Sequence, residues 1–226
     1  MDQATLSEAE TEGFETFTPR QNAVLETALG LLVEGGDRAL TTARIARAAN
    51  CSKESLYKWF GDRDGLLAAV VAYQASKVRA PETGQLPETA EAFRDHLFSF
   101  AHDLLSVLSG DVSLALNRLA IGQARRDEAQ LGRLVLERGR KRIGQRAGAL
   151  LEAGRRKGFI EYEDRNAAFR TLYGLIIRDF HVRQLLGDVL DPEERDFEAQ
   201  AGSAIEQFFR LYGSDAHSEP KTTQIR

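Results

Sequence analysis

Residues 41–60 read TTARIARAANCSKESLYKWF, and this stretch decides the fold. Two short helical patterns flank a turn. In the first, Ile45, Ala46 and Ala49 recur at helical spacing behind Thr41 and Thr42, either of which can cap a helix start. In the second, Leu56 and Phe60 lie one turn apart behind Ser52, another capping residue. Asn50-Cys51 joins them, and asparagine tolerates the left-handed backbone of a tight turn. Ala46 and Ala49 are small enough for the two helices to approach closely. A plain helical hairpin needs nothing more, so the outward residues carry the argument. Thr42, Ser52, Lys53, Ser55, Tyr57, Lys58 and Trp59 are hydroxyl, cationic or aromatic groups, the types that contact phosphates and base edges.

Upstream, Thr18 caps and Pro19 opens a helix that presents Leu25, Ala28, Leu29 and Leu32 on one face and stops at Gly35-Gly36. Downstream, a helix starts at Asp62 and runs through Leu66, Leu67, Val70 and Val71 towards Val78. Two longer helices thus brace two short ones, the architecture that lays one helix in a DNA major groove. The stretch Ala80 to Thr89 holds two prolines and a glycine and reads as a hinge. Beyond it the periodicity predicts five helices, at about 88–109, 112–125, 127–156, 164–186 and 193–212. The third contains Gly132, Gly139, Gly144, Gly148 and Gly154. Each costs up to ~1 kcal/mol relative to alanine, which predicts a kink or break. Strand signals are missing. The expected fold is all-α with about nine helices. A three-helix helix-turn-helix domain at residues 18–80 precedes a helical-bundle effector and dimerisation domain at 81–213, and polar, disordered tails lie at 1–17 and 214–226.

Composition bounds the function. A chain of 226 residues, 42% hydrophobic and 28% charged, is an ordinary globular composition. Its longest uninterrupted apolar stretch, Leu66 to Tyr73, is far too short to cross a bilayer, and the acidic N-terminus has no signal-peptide pattern, so the expected location is the cytoplasm with no membrane partner. The single cysteine, Cys51, excludes an intramolecular disulfide and a cysteine-built zinc site. The net charge of −4 suits a DNA binder poorly until it is divided. Residues 18–80 carry nine Lys/Arg against six Asp/Glu, whereas residues 1–17 carry five acids and no base. The positive excess falls on the helix-turn-helix, although a solvated helical surface can also produce an asymmetry of this size.

The string from Thr41 to Leu67 resembles the N-terminal domain of TetR-type regulators. Thr41 and Thr42, Ile45 and Ala46, the turn Asn50-Cys51, then Ser52, Leu56, Tyr57 and Phe60 occupy the places of that family's motif, with Arg63 as the basic residue that starts the fourth helix. Asn50 stands where glycine is usual, Cys51 where valine is, and Arg63 where lysine is. A weaker likeness to the AefR-type branch covers Leu116 to Arg126. The resemblance implies a dimeric, ligand-responsive repressor of palindromic double-stranded DNA. It assigns Thr42, Tyr57, Trp59 and Arg63 to the DNA backbone, and Lys53, Ser55 and Lys58 to the bases. Packing beside Phe60 is the competing role for Tyr57, and solvation is the competing role for Lys53 and Lys58.

For an unidentified small-molecule effector, His102, Asn117, Arg118 and Gln123 are candidate polar groups between the bundle helices, although a satisfied structural group is the commoner role for any one of them. The stripes Leu172, Leu175, Ile176, Asp179 and Phe197, Ala201, Ala204, Phe208, Tyr212 suit the homodimer interface that the resemblance implies, or the core of a monomer. Cys51 reads as an inert, buried filler before a redox sensor. His96, His102, His181 and His217 lack the paired spacing of metal ligands, so neither metal nor cofactor is expected. Nucleophile-elbow, dinucleotide, P-loop and zinc-protease motifs are absent, which argues against an enzyme. An all-helical enzyme or carrier is the alternative. A protein-binding adaptor would leave Lys53, Tyr57, Lys58 and Trp59 unexplained.

Overall fold

Four side-chain caps lay out the N-terminal half. In the computed structural model, which describes residues 17–79, 87–124 and 130–214, α1 (Pro19–Gly35), α2 (Thr42–Ala48), α3 (Lys53–Phe60) and α4 (Arg63–Ser76) start from Thr18, Thr41, Ser52 and Asp62. Each cap oxygen accepts from the amide three residues on, satisfying a donor that the helix itself leaves open. Gln21 returns the bond to Thr18, completing a capping box. Asn50 takes the left-handed backbone expected of the turn, with φ of 49°. The following corner, from α3 into α4, is tight enough that a Cβ on Gly65 would collide with the Phe60 carbonyl oxygen.

The C-terminal half begins with α5 (Ala90–Ser109), which bends by 62° at Gly110 into α6 (Asp111–Gln123). Next come α7 (Gln130–Leu134) and α8 (Lys141–Arg156), joined by a π-helical turn, Val135–Arg140. The glycine-rich helix is therefore widened instead of broken, for Leu134 and Arg140 both keep right-handed helical angles. Its glycines have packing reasons. Gly139 is buried with Val71 beside it, and a Cβ on Gly154 would run into the Phe93 ring, so α8 and α5 approach closely there.

The helix expected at 164–186 is two helices, α9 (Arg165–Ile177) and α10 (Phe180–Leu185). Arg178 takes a φ of +47° and ends α9, which leaves Asp179 as the cap residue of α10 and off the α9 stripe. Arg183 then holds the next segment through Asp188 at 2.6 Å and Glu194 at 2.5 Å. A short 3-10 turn, Glu193–Arg195, leads into α11 (Phe197–Tyr212).

Two cores result. One gathers Val24, Leu29, Ile45, Leu56, Phe60 and Val70, and it is completed by Leu116, Ala120 and Leu131 from α6 and α7. The other gathers Phe93, Phe100, Leu151, Leu172, Ile176 and Phe208, with Ala75 and Val78 entering from the end of α4. The boundary expected at residue 80 thus does not separate the packing. Arg146 on α8 donates to the Ala75 carbonyl at 2.7 Å, and the Arg79 amide and guanidinium bind Asp103 on α5 at 2.8–3.0 Å. Burial favours a neutral Asp103, but these bonds prevail and hold its carboxyl below the usual range.

Two edges of the predicted tails are corrected. Phe17 packs its ring against Phe60 and Tyr73, at 6.5 and 6.4 Å between centroids. Ser214 is buried, and its hydroxyl donates to the Gly158 carbonyl beside a single antiparallel bridge between Ile160 and Gly213. Residues 1–16 and 215–226, and residues 80–86 of the hinge expected at 80–89, lie outside the described residues. Among the described residues there is no strand, and no single helix is long and apolar enough to cross a membrane.

Candidate nucleic-acid interface and effector cavity

The two faces of α3 differ plainly. Leu56 and Phe60 are buried against α2 and α4, while Lys53, Glu54, Tyr57 and Lys58 face solvent. Tyr57 is 50% exposed, so it does not pack beside Phe60 as a core residue would. Ser52 and Ser55 are partly committed to the start of the helix: the Ser52 hydroxyl accepts from the Ser55 amide at 3.0 Å and lies 3.1 Å from the Ser55 hydroxyl. Trp59 is half-buried against the N-terminal core with its ring 6.3 Å from Phe60, and Thr42 is half-buried at the first position of α2. Cys51 is half-buried and packs on the same core.

Three features of this face were not read from the sequence. Arg20 on α1 donates to the carbonyls of Ala49 and Asn50 at 2.9 and 2.8 Å and so braces the turn between α2 and α3. Glu54 stands exposed in the first turn of α3. Its carboxyl is held below the usual range by its own backbone amide and by the Ser52 hydroxyl, so the face carries one anionic acceptor among cations. Arg63 is exposed at the start of α4 but also lines a cleft against Leu119, Gln123 and Leu131. The Arg20 brace and the Arg63 cleft are tertiary consequences, and only Glu54 was open to reading as a polar residue in the first turn of the recognition helix.

A cavity of about 140 Å³ lies where α4, α5, α6, the π-helical turn and α10 meet. Its walls are mostly aliphatic, among them Val71, Leu104, Val107, Leu116 and Ile143. Its polar groups are Gln74, Ser113, Asn117, Arg140, Tyr173 and His181. Gln74 donates to the Ser113 hydroxyl at 3.1 Å, and Asn117 to the Ser113 carbonyl at 2.8 Å. Gln74 Oε1 and His181 Nε2 are buried without a partner. Burial alone holds the His181 imidazole below its ordinary pKa, which favours the neutral ring.

Of the four polar residues singled out for one pocket, only Asn117 lines this cavity. Arg118 lies in a separate cleft and donates to the carbonyls of Gln184 and Leu185, where it caps α10. Gln123 lines the cleft with Arg63. His102 is half-buried and stacks on Phe98 at 6.5 Å. Asn117, Arg118 and Gln123 point from different faces of one helix, α6, as its rotation per residue requires, and His102 is set apart from them on α5 by the 62° turn at Gly110.

The expected dimer residues also divide. Leu172, Ile176 and Phe208 are buried in the protomer's own core, because their stripes face α5 and each other. In this conformation they cannot meet a second copy. Leu175, Phe197 and Tyr212 are half-buried, with Tyr212 stacked 4.9 Å from Phe208. Three exposed apolar groups cluster on α10 and just after it, Val182 (54% exposed), Leu186 (84%) and Val189 (71%), and Leu211 is exposed on α11, with Val33, Ile121 and Leu136 exposed elsewhere.

Comparison with known proteins fits this geometry. Residues 24–70 match the family of bacterial regulatory proteins of the tetR type, and residues 95–214, more than half of the chain, match the C-terminal domain of AefR-like transcriptional repressors. The chain belongs to the TetR family of transcriptional regulators. The AefR-like likeness, read from the sequence only around Leu116 to Arg126, extends across nearly the whole second half.

A TetR transcriptional regulator from Agrobacterium tumefaciens is 60% identical in a comparison covering 88% of this chain and 97% of that one, with a TM-score of 0.74. The HTH-type transcriptional regulator YdeS of Bacillus subtilis is 29% identical over 81% of this chain and 88% of its own length. A putative TetR-family regulator from Mesorhizobium loti, at 24% identity and a TM-score of 0.65, covers 88% of this chain and 100% of its own and shares the fold. TetR-family members are regulators and not enzymes. Among the described residues, no three His, Cys, Asp or Glu side chains gather as a metal site requires.

Proposed function

We propose that this TetR-family regulator is a cytoplasmic repressor that binds a palindromic operator as a homodimer and is released when a small molecule fills the cavity beside α4. The observation that carries this reading is the two-faced α3, apolar inward and cationic, aromatic and hydroxylic outward. Lys53, Ser55 and Lys58 read base edges, and Glu54 accepts from a cytosine amino group. Thr42, Ser52, Tyr57, Trp59 and Arg63 hold the phosphate backbone and set the helix in the groove. Arg20 and Asn50 keep the turn in shape without touching DNA.

One recognition helix reaches about half a site, so two copies are needed. Their contact runs over the outer surfaces of α9, α10 and α11, where Val182, Leu186, Val189 and Leu211 expose apolar area and Leu175, Phe197 and Tyr212 are half-buried. The effector enters the cavity lined by Gln74, Asn117 and His181 and presses on α4, which continues to Arg63 beside the recognition helix.

Fluorescence anisotropy with a labelled duplex from the intergenic region upstream of the gene tests this reading. Specific binding must exceed binding to random duplex and fall steeply with salt, since each neutralised phosphate releases counterions. Lys53→Ala must flatten the preference between sequences, whereas Tyr57→Phe must weaken all sites alike. Leu186→Glu must yield a folded protein that sediments as a monomer and has lost operator affinity. Equal affinity for intergenic and random DNA would overturn the proposal.

A further inference from the structure

The cavity's size, walls and orphaned polar atoms together restrict what can occupy it. At about 140 Å³ it is close to an engineered apolar cavity of roughly 150 Å³ that admits benzene. The aliphatic walls favour an apolar body. The two buried atoms without partners do not suit an empty, purely apolar hole, because a buried polar group left unpaired is costly. Gln74 is the sharper of the two, since its side chain is carried on α4 and only 8% of the residue is exposed. The groups lining the interior beside it, Ser113, Asn117, Tyr173 and the half-buried His181, are uncharged. Arg140 is exposed, and its guanidinium lies 4.9 Å from the Tyr173 ring at the rim. An anion held at Gln74 would meet amide, hydroxyl and imidazole groups, and the positive charge of Arg140 in the same lining is exposed and screened by water.

We propose that the cavity takes a small, uncharged, single-ring molecule bearing a hydroxyl group, a simple phenol, which hydrogen-bonds Gln74 and His181. This rests on the reading of the cavity as the effector site. A hydroxyl is the group that can serve both orphans, donating to Gln74 Oε1 and accepting from the Nε2–H tautomer of the neutral His181 ring. It also fits the amide turned the other way, in which Ser113 donates to Oε1 and the freed amide N–H donates to the ligand oxygen. The occupant touches Gln74 and its helical neighbours Val71 and Ala75, so it acts directly on α4.

The test uses three probes of one shape with the full-length protein: p-cresol, toluene and p-toluate, measured by calorimetry and thermal melting. The expected result is that p-cresol raises the melting temperature and binds about tenfold or more tightly than toluene, while p-toluate does neither. Gln74→Leu must keep toluene binding and lose most of the preference for p-cresol. Leu108→Phe, which fills the hole from another wall, must remove binding of both neutral probes, so the proposal remains open to test should Gln74→Leu fail to fold. Equal affinity for p-cresol and toluene, tighter binding of p-toluate, or no binding of any probe overturns the proposal. Operator affinity measured beside these probes keeps the two readings apart. If p-cresol binds with the stated preference but leaves operator affinity unchanged, the ligand class stands and the effector reading fails. If no probe binds to a protein that still recognises its operator, the ligand class fails and the regulatory reading stands.

Discussion

The two cores are built to different standards. The N-terminal one closes around Leu56, Phe60 and Val70 with short, capped helices, and its polar side chains turn outward. The C-terminal one buries larger rings, Phe93, Phe100 and Phe208, yet leaves a hole beside α4 in which Gln74 Oε1 and His181 Nε2 find no partner. A surface that must match DNA geometry gains from rigidity. A site that must respond to a ligand gains from unfinished packing, because only a cavity with unmet hydrogen bonds offers an occupant something that solvent-filled space does not.

Truncations should separate the two most clearly. Leu56→Ala removes a side chain from closed packing and is expected to cost about 2–5 kcal/mol, whereas Leu108→Ala, at the edge of the hole, should cost about 1 kcal/mol. Urea denaturation of both variants measures this, and equal costs would mean that the cavity collapses and is no void. Gly154→Ala comes next, with an expected loss of about 1–3 kcal/mol as the Phe93 ring is pushed aside, read as a lower denaturation midpoint at unchanged slope.

The pH dependence is a smaller effect confined to the cavity. Unfolded His181 takes up a proton as pH falls through the ordinary histidine value near 6.5, while the folded ring does so only at lower pH. The folded state is therefore penalised on the acid side and unaffected above that range. His181→Gln should melt with a smaller drop than the wild type between about pH 8 and pH 5.5. An unchanged drop would show that the ring is not desolvated. The smallest effect is a gain. Gly30 lies on the exposed face of α1 with nothing near its would-be Cβ, so Gly30→Ala should raise stability by about 0.5–1 kcal/mol.

The capped half was legible in the sequence because its determinants are local. Thr18, Thr41, Ser52 and Asp62 each act within three residues, and Asn50 needs only its own backbone. What escaped the reading depends on residues far apart in the chain. Arg20 reaches carbonyls 29 and 30 positions away, and Gln74 meets Ser113 across 39. The stripe through Leu172, Ile176 and Phe208 was read correctly as apolar and helical, but periodicity cannot say whether such a face meets its own chain or another. Arg178 gives no local warning that a helix stops there, for arginine is not a residue that favours the left-handed backbone it adopts.

α4 also sets how the molecule comes apart. Its first turns carry Leu66 and Val70 into one core and its last turn carries Ala75 into the other, while Leu116 and Leu131, from the later helices α6 and α7, finish the first. Neither half can melt without stripping cover from its neighbour, so heating should produce a single cooperative transition shared by both, and residues 17–79 cut free of the rest should be loosely ordered and prone to aggregate.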